Sequence, residues 1–514
     1  MISFSAFAGR SATFPRLASC AFAATVLLSA CGGGGGGGST VTPPTTGGTA
    51  PGGRTPDVIP TDYQSYANLC AAPRTGVDAY GVAFPDRKGS LLDEMKFLRG
   101  WANQNYLWYN EIPNDFYMAD FTSTLDYFAK LKTPALTASG KPKDQFHFTY
   151  PTAEWDALST SGEEVSYGLT WSRNSLTAPR TWLASIVEPG SPAASAGLQR
   201  GDMLAAVDGI DFINTSDSAG IDKINAGLFP EHAGETHKLT IQRGNTTFDV
   251  NLTARVVSTA SVKNAKVIDT ASGKVGYLTF DDFNAVAEKQ LIDAFSIFKT
   301  QGVNDLVIDM RYNGGGLLYI AAELGYMIAG PNSTGKTFER LVYNNKTTSP
   351  SPIPFMTTAY GFSSPNPATK GQTLPYLGLR RVTVLTTADT CSASEAVING
   401  LRGVDIEVNV IGSQTCGKPY GFTPVDNCGT TYFSIEFQGV NAKNFGDFAD
   451  GFTPTCAVSD DLSHALGDTS EKLLSAALAY RSTNACPATT SARAVPMQLV
   501  RPEAKTIAVL PKAR

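Results

Sequence analysis

The sequence has little that would take it to nucleic acid, to a transition metal or through a membrane. Its 41 basic and 46 acidic residues leave a formal charge of −5. No long basic cluster interrupts that balance, so the chain has no electrostatic footprint for a nucleic-acid backbone. Only four histidines occur, at positions 147, 232, 237 and 464. None belongs to an H-E-x-x-H stretch and no cysteines pair at zinc-site spacing, which excludes the common zinc motifs. Asp447 and Asp450 ahead of Gly451 resemble a calcium loop only faintly and read as a turn. The apolar run at residues 21–28 is too short to span a bilayer as a helix. No metal or organic cofactor is expected.

What is present begins with that short run. Arg10 and Arg16 precede it, Leu28-Ser-Ala-Cys31 ends it, and seven glycines follow. The arrangement is that of an export signal, and it resembles a bacterial lipoprotein lipobox. The resemblance implies that residues 1–30 are removed and that Cys31 carries a lipid anchor. The mature protein is then expected in the cell envelope, facing the periplasm or the cell surface. Gly32 stands where an aspartate often retains such proteins in the inner membrane, so the outer membrane is the expected anchor site. Residues 31–60 are rich in Gly, Thr and Pro and read as a disordered tether, with a root-mean-square span of about 30 Å.

The remaining 42% apolar content over 514 residues supports several packed cores. Six cysteines stay in the mature chain, at 70, 391, 416, 428, 456 and 486. An even number in an exported chain suggests disulfides, and sequence alone does not choose among the about 15 connectivities. A local closure of Cys416 with Cys428 and a tie between Cys70 and Cys486 are the pairings expected here, with Cys391 also in a structural disulfide.

Residues 61–160 read as a small helical domain with no assigned chemistry. Leu91, Met95, Leu98 and Ala102 recur at helical spacing behind Ser90, whose partner three positions on is Asp93. A second helix is expected over 124–132, with Leu125, Phe128 and Leu131 inward. The aromatic stretch between them is expected to pack. Residues 161–258 change to short alternating strands around Pro189-Gly-Ser-Pro-Ala-Ala-Ser-Ala-Gly-Leu-Gln-Arg-Gly-Asp-Met. That run resembles a PDZ domain, with Tyr167-Gly168-Leu169-Thr170 where such domains hold a terminal carboxylate. The resemblance implies that an extended peptide adds to the sheet as a strand.

From residue 259 to 482, strands alternate with helices: strands at 274–280, 305–310, 381–387 and 406–411, helices at 282–300, 317–328 and from 392. Such units form a parallel sheet with covering helices. From 483, and clearly from 487, a loose tail is expected. In such sheets ligands gather beyond the carboxyl ends of the strands. Three loops leave those ends: Arg311-Tyr-Asn-Gly-Gly-Gly316, the turn at 388–392, and the loop at 412–418. Ser392 stands on the second and Lys418 on the third. Ser392-Ala-Ser-Glu395 also fits a helix-capping box, which needs no function.

Together, "VIDMRYNGGG", "SASEAVINGL" and "GSQTCGK" behind a PDZ domain resemble the S41 peptidases, the carboxyl-terminal processing or tail-specific proteases. The resemblance covers most of 161–480. It implies a ClpP/crotonase-like α/β catalytic core, with a PDZ domain and a small N-terminal helical domain attached. It further implies Ser392 as nucleophile, Lys418 as general base, and an oxyanion hole from the amides of Gly315 and Ala393. A serine hydroxyl needs a neighbouring base, and lysine serves only when neutral, which burial favours against its ordinary value of about 10.4. Ser394 and Cys391 are the alternative nucleophiles, expected respectively to point away from the rim and to be locked in a disulfide. The family often has a glutamine four residues past the lysine to orient it; Phe422 stands there, and Pro419 and Tyr420 replace smaller residues. The expected partners are proteins with exposed, apolar C-terminal tails, reached through a lipid-anchored enzyme and with no nucleic acid. A catalytically silent PDZ scaffold is the rival reading, and a non-peptide hydrolase a third.

Overall fold

The computed structural model describes residues 56–78, 81–487 and 497–500. The expected export signal, Cys31 and nearly all of the tether lie outside the described residues. No helix among the described residues is long and apolar enough to cross a membrane.

The N-terminal region is built on helix α1 (Leu91–Asn105), whose Ser90 and Asp93 form the expected capping box. The second helix is shorter than its spacing suggested, Thr124–Phe128. Tight i→i+3 bonds from Lys130 and Leu131 end it, and Leu131 turns into the core while Leu125 stays half exposed. The region is not closed on itself. The strand Phe148–Pro151 pairs with Thr430–Phe433, and Tyr432 and Ile435 share the buried cluster of Trp101, Tyr106 and Phe128. A disulfide between Cys70 and Cys428 fastens the same junction. The aromatics at 101–109 do pack there, as expected.

The next unit is an antiparallel sheet of β1 (Leu169–Arg173), β2 (Trp182–Val187), β3 (Met203–Val207), β4 (Thr236–Arg243) and β5 (Thr246–Thr253), with α2 (Ser218–Leu228) packed on it. The strands stand in sequence order, and Trp171, Trp182, Leu204, Ile221, Ile224 and Leu239 form one core. Beyond β1, Gln498–Leu499 adds a further antiparallel strand. The expectation of a loose tail from residue 487 is corrected there: Leu499 and Val500 are apolar enough to be buried, at 8% and 7% exposure.

The largest unit is a six-stranded sheet in the order β6 (Val262–Thr270), β7 (Gly273–Phe280), β8 (Asp305–Asp309), β9 (Arg381–Thr386), β10 (Glu407–Gly412) and β11 (Cys456–Ala457). The first pair is an antiparallel hairpin and every later pairing is parallel. Helices α3 (Ala287–Thr300), α4 (Leu318–Ala329) and α5 (Ala393–Gly403) join the parallel strands and pack on one face over Leu306, Ile308, Val382 and Val384. Helix α6 (Lys472–Thr483) covers the other over Val307, Leu385 and Ile411. Burial on both faces is why these strands read as continuous apolar runs. Helix α3 begins later than its periodicity suggested. Phe283 is drawn out as an extended bridge, its N–H donating to the Gly315 carbonyl and its own carbonyl accepting from Leu317.

Thr279, Asp309, Leu385 and Ile411 lie in one register row, so the parallel strands end together and their loops share one rim. Arg311, just past that row, is 1% exposed. Its guanidinium donates to Asp309 (2.8 and 2.7 Å), to Glu471 (2.8 and 2.9 Å) and to Asp460 (2.7 Å). Burial alone would push Asp460 up, but Arg311 and Arg200 hold it below the usual carboxylate range. Arg200, from the antiparallel unit, also donates to the Tyr312 hydroxyl (2.7 Å), which binds that unit to the start of the glycine loop.

Replacing Arg311 would leave the buried carboxylates of Asp309 and Glu471 facing each other without their cation. Arg311→Ala is therefore expected to destabilise the protein by roughly 3–5 kcal/mol in urea unfolding. Lys443→Ala, which removes an exposed pair with Asp405, should leave the urea midpoint essentially unchanged.

Candidate active site

The glycine loop after β8, the turn after β9 and the loop after β10 meet on the rim. Ser392 opens α5 with φ 56° and ψ −115°, a conformation that costs a side-chain-bearing residue about 1–3 kcal/mol. Bonds on both sides hold it there. The Cys391 N–H donates to the Asn313 carbonyl (3.0 Å), and the Ser392 carbonyl accepts from the Ala396 N–H (2.8 Å). The turn is also braced to the third loop, where the Cys416 N–H donates to the Thr390 carbonyl (3.0 Å). The glycine loop approaches so closely that a Cβ on Gly315 would lie 2.6 Å from the Ser392 Cβ and 2.9 Å from the Ala393 nitrogen. With φ at +106°, residue 315 is confined to glycine on both counts.

Glu395 is fully buried and is the hub of the site. One carboxylate oxygen accepts from the Thr415 hydroxyl (2.6 Å) and the Gly417 N–H (2.9 Å). The other accepts from the Ser392 N–H (3.1 Å) and the Lys418 N–H (2.8 Å). The side chain therefore caps its own helix and also fastens the loop that carries Lys418. Burial pushes its carboxyl above the usual range, and the four donors only partly offset that.

Lys418 is 8% exposed. Its ammonium nitrogen lies 4.2 Å from the Phe422 ring centroid and 4.9 Å from that of Phe146. Phe422, which stands where the resembled family often has a glutamine, thus presents an aromatic face to it. Ser392 and Lys418 line one small cleft of about 60 Å³ together with Gly316, Ala396, Tyr420 and Phe437.

Each sequence-derived candidate has a definite place. Ser392 and Lys418 converge on the cleft, whereas Ala393 is buried behind it at the first position of α5. The Gly315 N–H is engaged, donating to Asn313 Oδ1 (2.9 Å), so in this structure Gly315 supplies clearance. Ser394 is buried, does not line the cleft, and its hydroxyl donates to the Asn313 carbonyl of the glycine loop (3.1 Å). Cys391 is bonded to Cys416, which removes it as a thiol and ties the serine loop to the lysine loop. That bond also denies Cys391, Cys416 and Glu395, which lie close together, the character of a metal site. The pairings expected for Cys416–Cys428 and Cys70–Cys486 are corrected: the bridges are Cys70–Cys428, Cys391–Cys416 and Cys456–Cys486. The partners lie far apart in sequence or across a helix and strand, so loop length could not choose them. On the PDZ unit, Tyr167 is buried with its hydroxyl on the Gly227 carbonyl (3.1 Å). Gly168 turns at φ +70°, and Leu169 and Thr170 begin β1.

Three contributors escaped the sequence. Phe146 comes from the region given no chemistry; its only signal was the aromatic alternation in "QFHFTY". Glu395 was legible only as a helix cap. Glu339, on the strand Thr337–Tyr343, lines the cleft at 5% exposure, and one of its carboxylate oxygens has no hydrogen-bond partner. A Cβ on Gly439 would overlap that carboxyl group, so the glycine makes its room. Burial raises Glu339 to about 8.

Comparison with known proteins follows the same division. Residues 274–458 match the Peptidase family S41 model and residues 185–224 match the PDZ domain model. A carboxyl-terminal-processing protease of Picosynechococcus sp. is 31% identical over 171 residues, covering 32% of this chain and 39% of the relative. One from Synechocystis sp. is 28% identical over 265 residues, covering 51% and 54%. The chain thus spans about half or less of the length of these relatives. A solved structure from Bacteroides fragilis NCTC 9343, assigned to the S41 proteases, is 28% identical with a TM-score of 0.58, covering 76% of this chain and 97% of that one.

Two stability effects follow from the buried acids. Glu395→Ala strands four donors and is expected to cost roughly 3–5 kcal/mol, with Glu395→Gln intermediate, read from urea midpoints at constant m-value. For Glu339, the folded state keeps a proton that the unfolded chain has already lost. Its contribution is full below the unfolded carboxyl value of about 4.3 and is lost as pH rises toward the folded value. Glu339→Gln should remove that fall and be the more stable form at alkaline pH by roughly 3–5 kcal/mol in pH-dependent unfolding.

Proposed function

From a chain that carries a Peptidase family S41 domain and a PDZ domain, we propose a serine endopeptidase of the cell envelope that cleaves proteins presented by their C-terminal tails. The observation that carries this reading is the Glu395 carboxylate, which holds the amides of Ser392 and Lys418 on a single side chain and so brings both into one cleft.

In the proposed reaction, neutral Lys418 takes the proton from Ser392 Oγ as that oxygen attacks the scissile carbonyl carbon. The tetrahedral oxyanion is received by the Ala393 N–H at the start of α5, where the helix dipole also favours negative charge. The Gly315 N–H joins it once it exchanges Asn313 Oδ1 for the oxyanion. Lys418 then returns the proton to the leaving amine, and water, activated by the same lysine, hydrolyses the acyl-enzyme. The rings of Phe146 and Phe422 exclude water around Lys418 and fix its direction, the part a glutamine was expected to play.

The PDZ unit is the proposed capture site. A tail would add along β1 with its carboxylate near Gly168. Export is supported by three disulfides that together use Cys70, Cys391, Cys416, Cys428, Cys456 and Cys486, since such bonds persist in oxidising compartments. Anchoring through a lipid on Cys31, facing the periplasm or cell surface, completes the proposal.

The test is cleavage of an unfolded protein ending in an apolar tail. Ser392→Ala and Lys418→Ala should each lose at least about 10³-fold in rate, and Lys418→Arg should not recover it, because arginine stays protonated. Wild-type cleavage should fall as the pH is lowered, because the proposed base acts only when neutral. Undiminished cleavage by Ser392→Ala would refute the assignment of the nucleophile. Tail binding without cleavage by any form would leave a scaffold.

A further inference from the structure

The strand that a tail would use is already paired. Gln498 lies opposite Arg173 and Leu499 opposite Ser172, antiparallel, and the Val500 N–H donates to the Trp171 carbonyl (2.8 Å). In the order of the sheet, β1 is otherwise an edge strand, so this segment occupies the hydrogen-bonding row left open for an added peptide. Its direction is that of a tail ligand: as the chain advances from 498 to 500, it moves along β1 toward Gly168. Its side chains also behave as ligand anchors. Gln498 is exposed, whereas Leu499 and Val500 are buried, and Val500 belongs to the cluster of Tyr167, Trp171, Ile221 and Ile224 that joins β1 to α2.

One further contact makes the placement more than edge protection. The Leu499 N–H donates to Asp389 Oδ2 (3.2 Å). Asp389 sits in the turn that delivers Ser392, so the segment bridges the PDZ edge and the nucleophile turn.

We propose that residues 497–500 are a resident ligand of the PDZ groove, a segment of the chain itself that an incoming apolar C-terminal tail has to displace. This rests on the tail-capture reading above for the displacement step, while the occupancy stands on the strand pairing alone. The preferred tail then mimics what it replaces, an extended end with two adjacent aliphatic residues. The apparent affinity for a tail is the intrinsic affinity reduced by the fraction of molecules whose groove is open. Substitutions that unseat the segment therefore raise it without touching the groove.

Two measurements on the full mature chain test this, wild type against a Leu499→Asp/Val500→Asp variant. The first is hydrogen exchange of the amides of residues 499 and 500, which donate to Asp389 and to the Trp171 carbonyl. The second is binding of a fluorescein-labelled peptide of about ten residues ending in Leu-Val with a free carboxylate. Slow exchange in wild type, lost in the variant, together with peptide binding about tenfold tighter in the variant, is the expected result. Free exchange at 499 and 500 in wild type overturns the occupancy whatever the peptide does. Equal peptide affinity in the two forms overturns the competition. Protection lost on substitution with no peptide binding in either form keeps the segment as the occupant and refutes tail capture instead.

Discussion

One buried carboxylate organises the rim. Glu395 accepts from the amides of Ser392, Gly417 and Lys418 and from the Thr415 hydroxyl, so a single side chain sets the spacing between two loops that leave different strands. Burying an acid this deeply is unfavourable by itself, and its carboxyl is pushed above the ordinary range. Four donors in good geometry are what make the position tenable. They also make it specific, because shifting either loop by a fraction of an ångström would leave donors unpaired in a dry interior. The Cys391–Cys416 bond acts on the same pair of loops from the other side. Two independent ties, one covalent and one polar, thus hold the serine and lysine loops together.

The second constraint is steric. Ser392 is held at a positive φ, and Gly315 passes so close to its Cβ that no side chain fits between them. The strain at Ser392 is met by rigid surroundings: the flush ends of β8, β9 and β10 beneath, and Arg311 donating to Asp309, Asp460 and Glu471 at the base of the glycine loop. A sheet buried on both faces is stiff because its packing leaves no room for register changes. That stiffness keeps the turn from relaxing to a common conformation and withdrawing the hydroxyl from the cleft.

How much of this could be read from residue order follows from the range of each interaction. The strands at 305–309, 381–386 and 407–412 were legible because each is a run of apolar residues between turn signals. The three loops were legible because topology brings consecutive parallel strands to one edge. Glu395 was visible as a cap because capping is local, but its bonds to Thr415 and Gly417 cross a helix and a strand and left no trace. Phe146 and Glu339 approach the cleft from segments far away in sequence, and the disulfide partners are chosen by the fold. The segment at 497–500 was missed for a related reason. Four residues carry no periodicity, and their pairing with β1 spans more than half the chain.

The placement of that segment bears on how the two units work as one. The PDZ unit meets the core at the same rim the loops occupy: Arg200 reaches Tyr312 and Asp460, Lys263 pairs with Glu188 and Asp281, and Leu499 reaches Asp389. Each contact lands within a few residues of a strand end or of a cleft loop. In the proposed mechanism a tail bound on β1 lies beside the Ser392 turn, since the edge and the turn share the contact at Asp389. Within the proposed mechanism, groove and cleft form one continuous path, and binding in the first sets access to the second.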